Sequence, residues 1–162
     1  MTISERARPK TKAVYCPCCQ FHLTGKTAPR SGEQLRRFFA LMRVTFDNWP
    51  DSHERQFTDI DEMRAWLTIK AGFREVGARV PLAGLNKDRA LFLVEASIRG
   101  SGSNAIPIYY DGEIIVFKPK SIAFQKMDHR EFCKLNDAVS TVIEQETGLS
   151  VETLLKNAEA AA

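Results

Sequence analysis

The chain has 162 residues, of which 44% are apolar and 27% charged, with a formal charge of +3. These proportions belong to a folded globular protein and exclude a disordered or membrane-embedded one. The longest apolar runs, at 105–110 and 114–117, are strand-sized and far short of the ~20 residues that a membrane-crossing helix needs.

The opening MTISERARPKTK is polar and basic and has no apolar stretch of the secretory kind. It reads as a flexible basic arm over 1–11, ahead of one domain over 12–162. The expectation is a cytoplasmic protein whose four cysteines act as thiols or metal ligands, not disulfides.

KAVYC (12–16) reads as a first strand, closed by Pro17 and the paired cysteines Cys18 and Cys19. Ser31 and Gln34 have the spacing of a capping box, in which each side chain satisfies the other residue's backbone N–H. The helix they open runs to about Asn48 and stops before Pro50. Leu35, Phe38, Phe39, Met42, Phe46 and Trp49 fall on one 100°-wide stripe of it, the expected core face. Asp59 and Glu62 cap a second helix carrying Met63, Trp66, Leu67 and Phe73, ending near Gly72 or Gly77. A further helix is expected over 87–99, followed by the GSGSN loop. IPIYY and EIIVF flank Asp111-Gly112, a strong hairpin signal because both residues tolerate positive φ. A short extended piece over 121–124 leads to a third cap, Asp128 with Glu131. The helix behind it carries Phe132, Leu135, Val139, Val142 and Ile143 and stops at Gly148, and a last helix follows Ser150. The pattern predicts one α+β domain with a small antiparallel sheet, a hairpin at Asp111-Gly112 and four to five packed helices.

Enzyme signatures are missing: there is no glycine-rich phosphate loop, no G-x-S-x-G elbow and no H-E-x-x-H. The prominent carboxylates (Asp59, Glu62, Asp128, Glu131) stand at helix starts, where capping accounts for them. A metal-dependent nuclease would need several carboxylates to converge in space. Cys16 and Cys19 have the spacing that lets two thiolates reach one zinc ion, and His129 and Cys133, four apart on a helix, could complete the site. His22 competes as fourth ligand. The alternative is a buried Cys133, an exposed His129 and idle N-terminal thiols, and no cofactor is expected.

Charge is uneven along the chain. Residues 1–43 hold nine Lys and Arg against two acids, leaving fourteen bases and eighteen acids in the remainder. A basic segment on an acidic body suggests an anionic partner. Arg36 and Arg43 are seven apart and share one side of the first helix, with Arg37 farther round. Arg30 and Ser31 stand at the helix start, where free N–H groups favour an anion. Lys118, Lys120 and Lys126 alternate around Pro119 and are expected on one face. If that strand abuts the arginine helix, the two form a groove that tracks phosphates without reading bases. Tyr109, Tyr110 and Phe117 are candidates to stack on unpaired bases. The alternative is a core helix with a solvated basic edge.

Order and content together resemble a known family. RSGEQLRRFFALM resembles the segment opening the first helix of the Orf (NinB) recombination proteins of lambda-like phages, and DEMRAWLTIKAG and PKSIAFQKMDHREFCKLNDAV resemble later parts of it. A second, uncharacterised phage family is similar through F-D-N-W, A-W-L-T-I-K-A-G and S-I-A-F-x-x-M-D-x-x-E-F. Together they cover about 30–77 and 118–145. The resemblance implies a non-enzymatic mobile-element protein: a homodimer that binds single-stranded DNA in a bacterial cytoplasm and assists recombinase loading on strands coated by single-strand-binding protein. By position, Arg30, Ser31, Gln34 and Arg37 match the opening motif, and Ser121 and Met127 match the later one. Arg36, Arg43, Lys118 and Lys120 rest on charge alone. The CPCC segment, the arm and the GSGSN loop depart from the family. The alternative function is a small protein that binds and inhibits a host protein.

Overall fold

A computed structural model of the chain describes residues 14–15, 22–23, 32–123 and 125–161. The expected arm (1–11), the thiols Cys16, Cys18 and Cys19, the pair Arg30 and Ser31, and Phe124 lie outside the described residues. Ten elements follow in chain order: β1 (Val14–Tyr15), β2 (His22–Leu23), α1 (Gly32–Asp47), α2 (Ile60–Lys70), β3 (Arg74–Pro81), α3 (Lys87–Gly100), β4 (Ile106–Tyr110), β5 (Glu113–Pro119), α4 (His129–Thr147) and α5 (Val151–Ala161). The α+β plan of a small antiparallel sheet with five helices is what the residue pattern predicts.

Local chemistry sets most of the boundaries. The Asp59 and Asp128 carboxylates each accept the backbone N–H three residues on, from Glu62 and Glu131, at 2.8 Å. Glu62 reaches back to accept the Thr58 N–H at 2.9 Å, which completes the reciprocal cap. Asn86 caps α3 by accepting the Arg89 N–H at 2.8 Å. The β4–β5 hairpin turns at Asp111 and Gly112, whose φ angles of 46° and 80° are those of a type I′ turn.

The sheet has the order β3-β5-β4, with both neighbouring pairs antiparallel. β5 is therefore central, and its successive residues Ile114, Ile115 and Val116 are all buried. It packs against α2, while α3 packs against β4. β1 and β2 form a separate two-stranded ladder, Val14 opposite Leu23 and Tyr15 opposite His22. The main core lies among the helices: Phe38, Leu41 and Met42 of α1, Met63 and Leu67 of α2, Phe132, Leu135, Val139 and Ile143 of α4, and Leu154 of α5.

The second helix ends at Lys70 with Ala71 as its C-cap, and Gly72, at φ 89°, stops it as expected. Phe73 then leads into β3, a strand absent from the expected elements. The face that α1 buries comprises Gln34, Phe38, Leu41, Met42 and Thr45, about 60° round the helix from the stripe counted by apolar residues. Of the expected stripe, Phe38 and Met42 are buried and Leu35, Phe46 and Trp49 pack against the core, while Phe39 is 41% exposed. Finally, residues 121–123 are not strand, and Lys126 sits in a turn with its N–H on the Ala123 carbonyl. The three lysines therefore do not share one strand face.

Candidate nucleic-acid interface

With the core face of α1 placed, the arginines fall on distinct sides of the helix. At 100° per residue, Arg36 and Arg43 project almost opposite the buried Phe38 and Thr45. Both are exposed, and neither takes part in an ion pair among the described residues. Arg37 lies on the other flank and bonds Glu33 one turn earlier at 2.6 Å. Gln34 faces inward, 7% exposed, and its Nε2 donates to Cys133 Sγ at 3.5 Å. It is part of the packing between α1 and α4, not of the exposed basic edge.

Phe39 borders the Arg36–Arg43 side. The guanidinium of Arg64, on α2, lies 5.8 Å from the Phe39 ring centroid, within cation–π range. Arg64 is also tied to Asp61 at 3.0 Å. The outer side of the helix pair thus presents two arginines of α1, an exposed aromatic ring and a third arginine from α2. Sequence reasoning missed Arg64 because the contact joins two helices; its only local signal was a basic residue inside an apolar helix.

The lysines occupy another part of the surface. Lys118 is exposed on β5, and its stem passes over Gly77, where an added Cβ would come within 2.9 Å of Lys118 Cε. Lys120 follows β5, anchored by its N–H to the Phe73 carbonyl at 2.9 Å, and pairs with Glu131 in the first turn of α4. The Glu131 hydrogen bond, with the charges of Glu131, Glu75 and Asp128 behind it, holds the Lys120 ammonium above its ordinary pKa against partial desolvation. The principal contacts of β5 outside its sheet are with α2, and those of α1 are with α2 and α5. The expected direct groove between β5 and α1 is replaced by an arrangement in which α2 contacts each. Of the aromatic candidates, Tyr110 is 66% exposed and Tyr109 36%. Phe117 is half-buried beneath the Arg74 guanidinium, 4.2 Å away.

A second polar cluster joins the end of α2, the loop after α1 and the end of α4. Glu146 accepts from Lys70 Nζ at 2.7 Å and from His53 Nε2 at 2.9 Å. His53 Nδ1 lies 2.9 Å from the Arg55 backbone nitrogen and 3.1 Å from the Arg55 carbonyl oxygen. The imidazole is held at both nitrogens, and Trp49 and Trp66 pack beside it.

Among the described residues no group of three or more His, Cys, Asp or Glu converges to hold a metal ion, and no helix is long and apolar enough to cross a membrane. Comparison of the chain with protein-family models, curated proteins and solved structures found no match.

Proposed function

We propose that this protein is a non-enzymatic DNA-binding accessory factor of the recombination-mediator kind, engaging single-stranded DNA through the outer edge of α1. The observation that carries the reading is the exposure of Arg36 and Arg43 opposite the core face, beside the Phe39–Arg64 stack. Guanidinium groups bind phosphate in bidentate geometry, and an exposed ring offers a base a stacking surface. Fluorescence-anisotropy titration of a labelled single strand over a salt series tests this, with the matched duplex beside it. The expected result is steeply salt-dependent binding that prefers the single strand. Arg36→Ala and Arg43→Ala should each weaken it for any sequence and lower the salt slope by about one. Arg37→Ala should cost less, because Glu33 already holds that side chain. Affinity that stays flat from low to physiological salt would reject the reading.

We also propose that the factor acts as a homodimer joined through α3. Only Ala90 of α3 is fully buried, and Phe92, Leu93 and Leu85 are 68%, 49% and 40% exposed. Antiparallel pairing of two copies about Phe92 sets Arg89 near Glu95 of the other chain, twice by symmetry, so a two-fold contact is complementary in charge as well as apolar. Light scattering during size exclusion should give a dimer mass that Phe92→Glu returns to the monomer. A wild-type monomer at tens of micromolar would refute the dimer. One non-self protein held in stoichiometric amount, and lost on Phe92→Glu, would instead favour the host-inhibitor function.

A further inference from the structure

We infer that the face of the β3-β5-β4 sheet carrying Phe117 and Tyr110 is where unpaired bases of single-stranded DNA stack, with Arg74 and Arg79 beside them for the phosphates. The inference rests on the DNA-binding reading and adds to it a second surface, one that holds bases.

The strand register defines this face. Residues directly opposite in a ladder share a face, and successive residues of a strand alternate between faces. In β5 and β4, Phe117 stands opposite Ile106, Ile115 opposite Ile108 and Glu113 opposite Tyr110, so these six side chains share one face. On β3 the alternation breaks at Gly77. Val76 lies opposite Phe117 and Ala78 opposite Val116, which makes Gly77 the extra residue of a bulge. Without the bulge Ala78 would stand opposite Ile115; with it Arg79 does. The bulge thus brings Arg79 onto the face that already carries Arg74 and Val76. Two contacts agree with this placement. The Arg74 guanidinium lies 4.2 Å from the Phe117 ring centroid, and Arg79 pairs with Glu113.

This face is apolar and accessible. Val76, Ile108 and Tyr110 are exposed around a buried Ile115 and a half-buried Ile106 and Phe117. Tyr109 points to the opposite face, where Lys87 of α3 reaches it, 5.2 Å from the ring centroid.

Charge selects the occupant. Two arginines stand against one acid, both on the edge strand β3, and that imbalance fits an anionic chain. Their partners Pro119 and Ile115 are four residues apart on β5, so the arginines are spaced about 13 Å along the sheet. Tyr110 lies on the other edge strand, two strand spacings or roughly 10 Å across. A strand of DNA laid along β3 sets its phosphates on the arginines and its bases over Phe117 and Tyr110. Aromatic rings stack on any base, and guanidinium planes do the same, so Arg74 lying over Phe117 forms a ready platform. The pair of Arg79 with Glu113 is exposed and therefore weak, which lets phosphate compete for the arginine. A duplex keeps its base faces in its own stack. The sheet thus supplies the preference for single strands that phosphate contacts on α1 cannot supply alone.

Anisotropy titration with a labelled thymidine strand and with an abasic strand of the same length tests the inference, because the abasic strand keeps the phosphates and lacks the bases. Wild-type protein should bind the native strand about tenfold more tightly than the abasic one. Tyr110→Ala, at an exposed position, should remove most of that difference while leaving the salt slope and the abasic affinity unchanged. Arg79→Gln should lower the salt slope by about one on both strands. Photocrosslinking of a strand carrying iododeoxyuridine should label Tyr110 or Phe117. Equal binding of native and abasic strands, unaltered by Tyr110→Ala, overturns this inference and leaves the α1 reading to Arg36→Ala and Arg43→Ala. Wild-type protein that binds neither strand rejects both. If Tyr110→Ala lowers the mass seen by light scattering, the face belongs to a second copy of the chain and the inference is overturned.

Discussion

Replacing Phe132 with alanine is expected to destabilise the protein by about 4 kcal/mol. Phe132 is 2% exposed in the first turns of α4 and meets Phe38 of α1 edge-on, with ring centroids 5.5 Å apart. Truncation removes the transfer free energy of a whole ring and opens a cavity between two helices that cannot both close on it. Against a typical total of 5–15 kcal/mol, a loss of that size brings unfolding close to ambient temperature. Urea titration at constant slope measures it. Phe39→Ala, one position from Phe38 but 41% exposed, is the control and should cost under about 1 kcal/mol. Equal losses at the two positions would mean that the buried face of α1 is wrongly placed.

The second large effect is expected at Glu146. Its carboxylate is held below the usual range, first by the Lys70 hydrogen bond and then, against partial burial, by His53. The native state thus keeps Glu146 ionised at a pH where the unfolded chain, near about 4.3, takes up a proton. Its contribution is fully present above that unfolded value and is lost as pH falls through the lower native one. Glu146→Gln should cost about 2 kcal/mol at pH 7, the scale of hydrogen bonds to a charged group. The variant should also lose less than wild type between pH 5 and pH 3. Stability curves that fall in parallel with acid would show that Glu146 does not set this slope.

How far the fold was legible depends on whether the deciding contact is local. Asp59 with Glu62, Asp128 with Glu131, and Asp111-Gly112 act within three residues, and each forms as its chemistry predicts. β3 was missed because Arg74–Pro81 lacks the alternation of a half-buried strand: every residue but Val80 is exposed. Its identity depends on pairing with β5, about forty residues on. The core face of α1 was legible except at Phe39 and at the edge that Leu41, Gln34 and Thr45 form. Counting apolar residues favoured Phe39, whereas packing against α2 and α5 draws in Leu41, Gln34 and Thr45. The candidate interface is legible in part: Arg36 and Arg43 were singled out and stand exposed, while Gln34 turned inward and Lys120 is engaged by Glu131. Arg64 became visible only once α1 and α2 were set side by side.

The order β3-β5-β4 bears on vectorial synthesis. β5, the strand that pairs with both neighbours, is made after each of them, and α4, which closes the core over α1 and α2, is made later still. As the chain leaves the ribosome, the apolar sides of two helices and the backbone donors of two strands must wait for partners not yet translated. The last third of the polypeptide therefore decides when the first two thirds become safe from aggregation, and slow translation beyond Tyr110 would prolong that exposure.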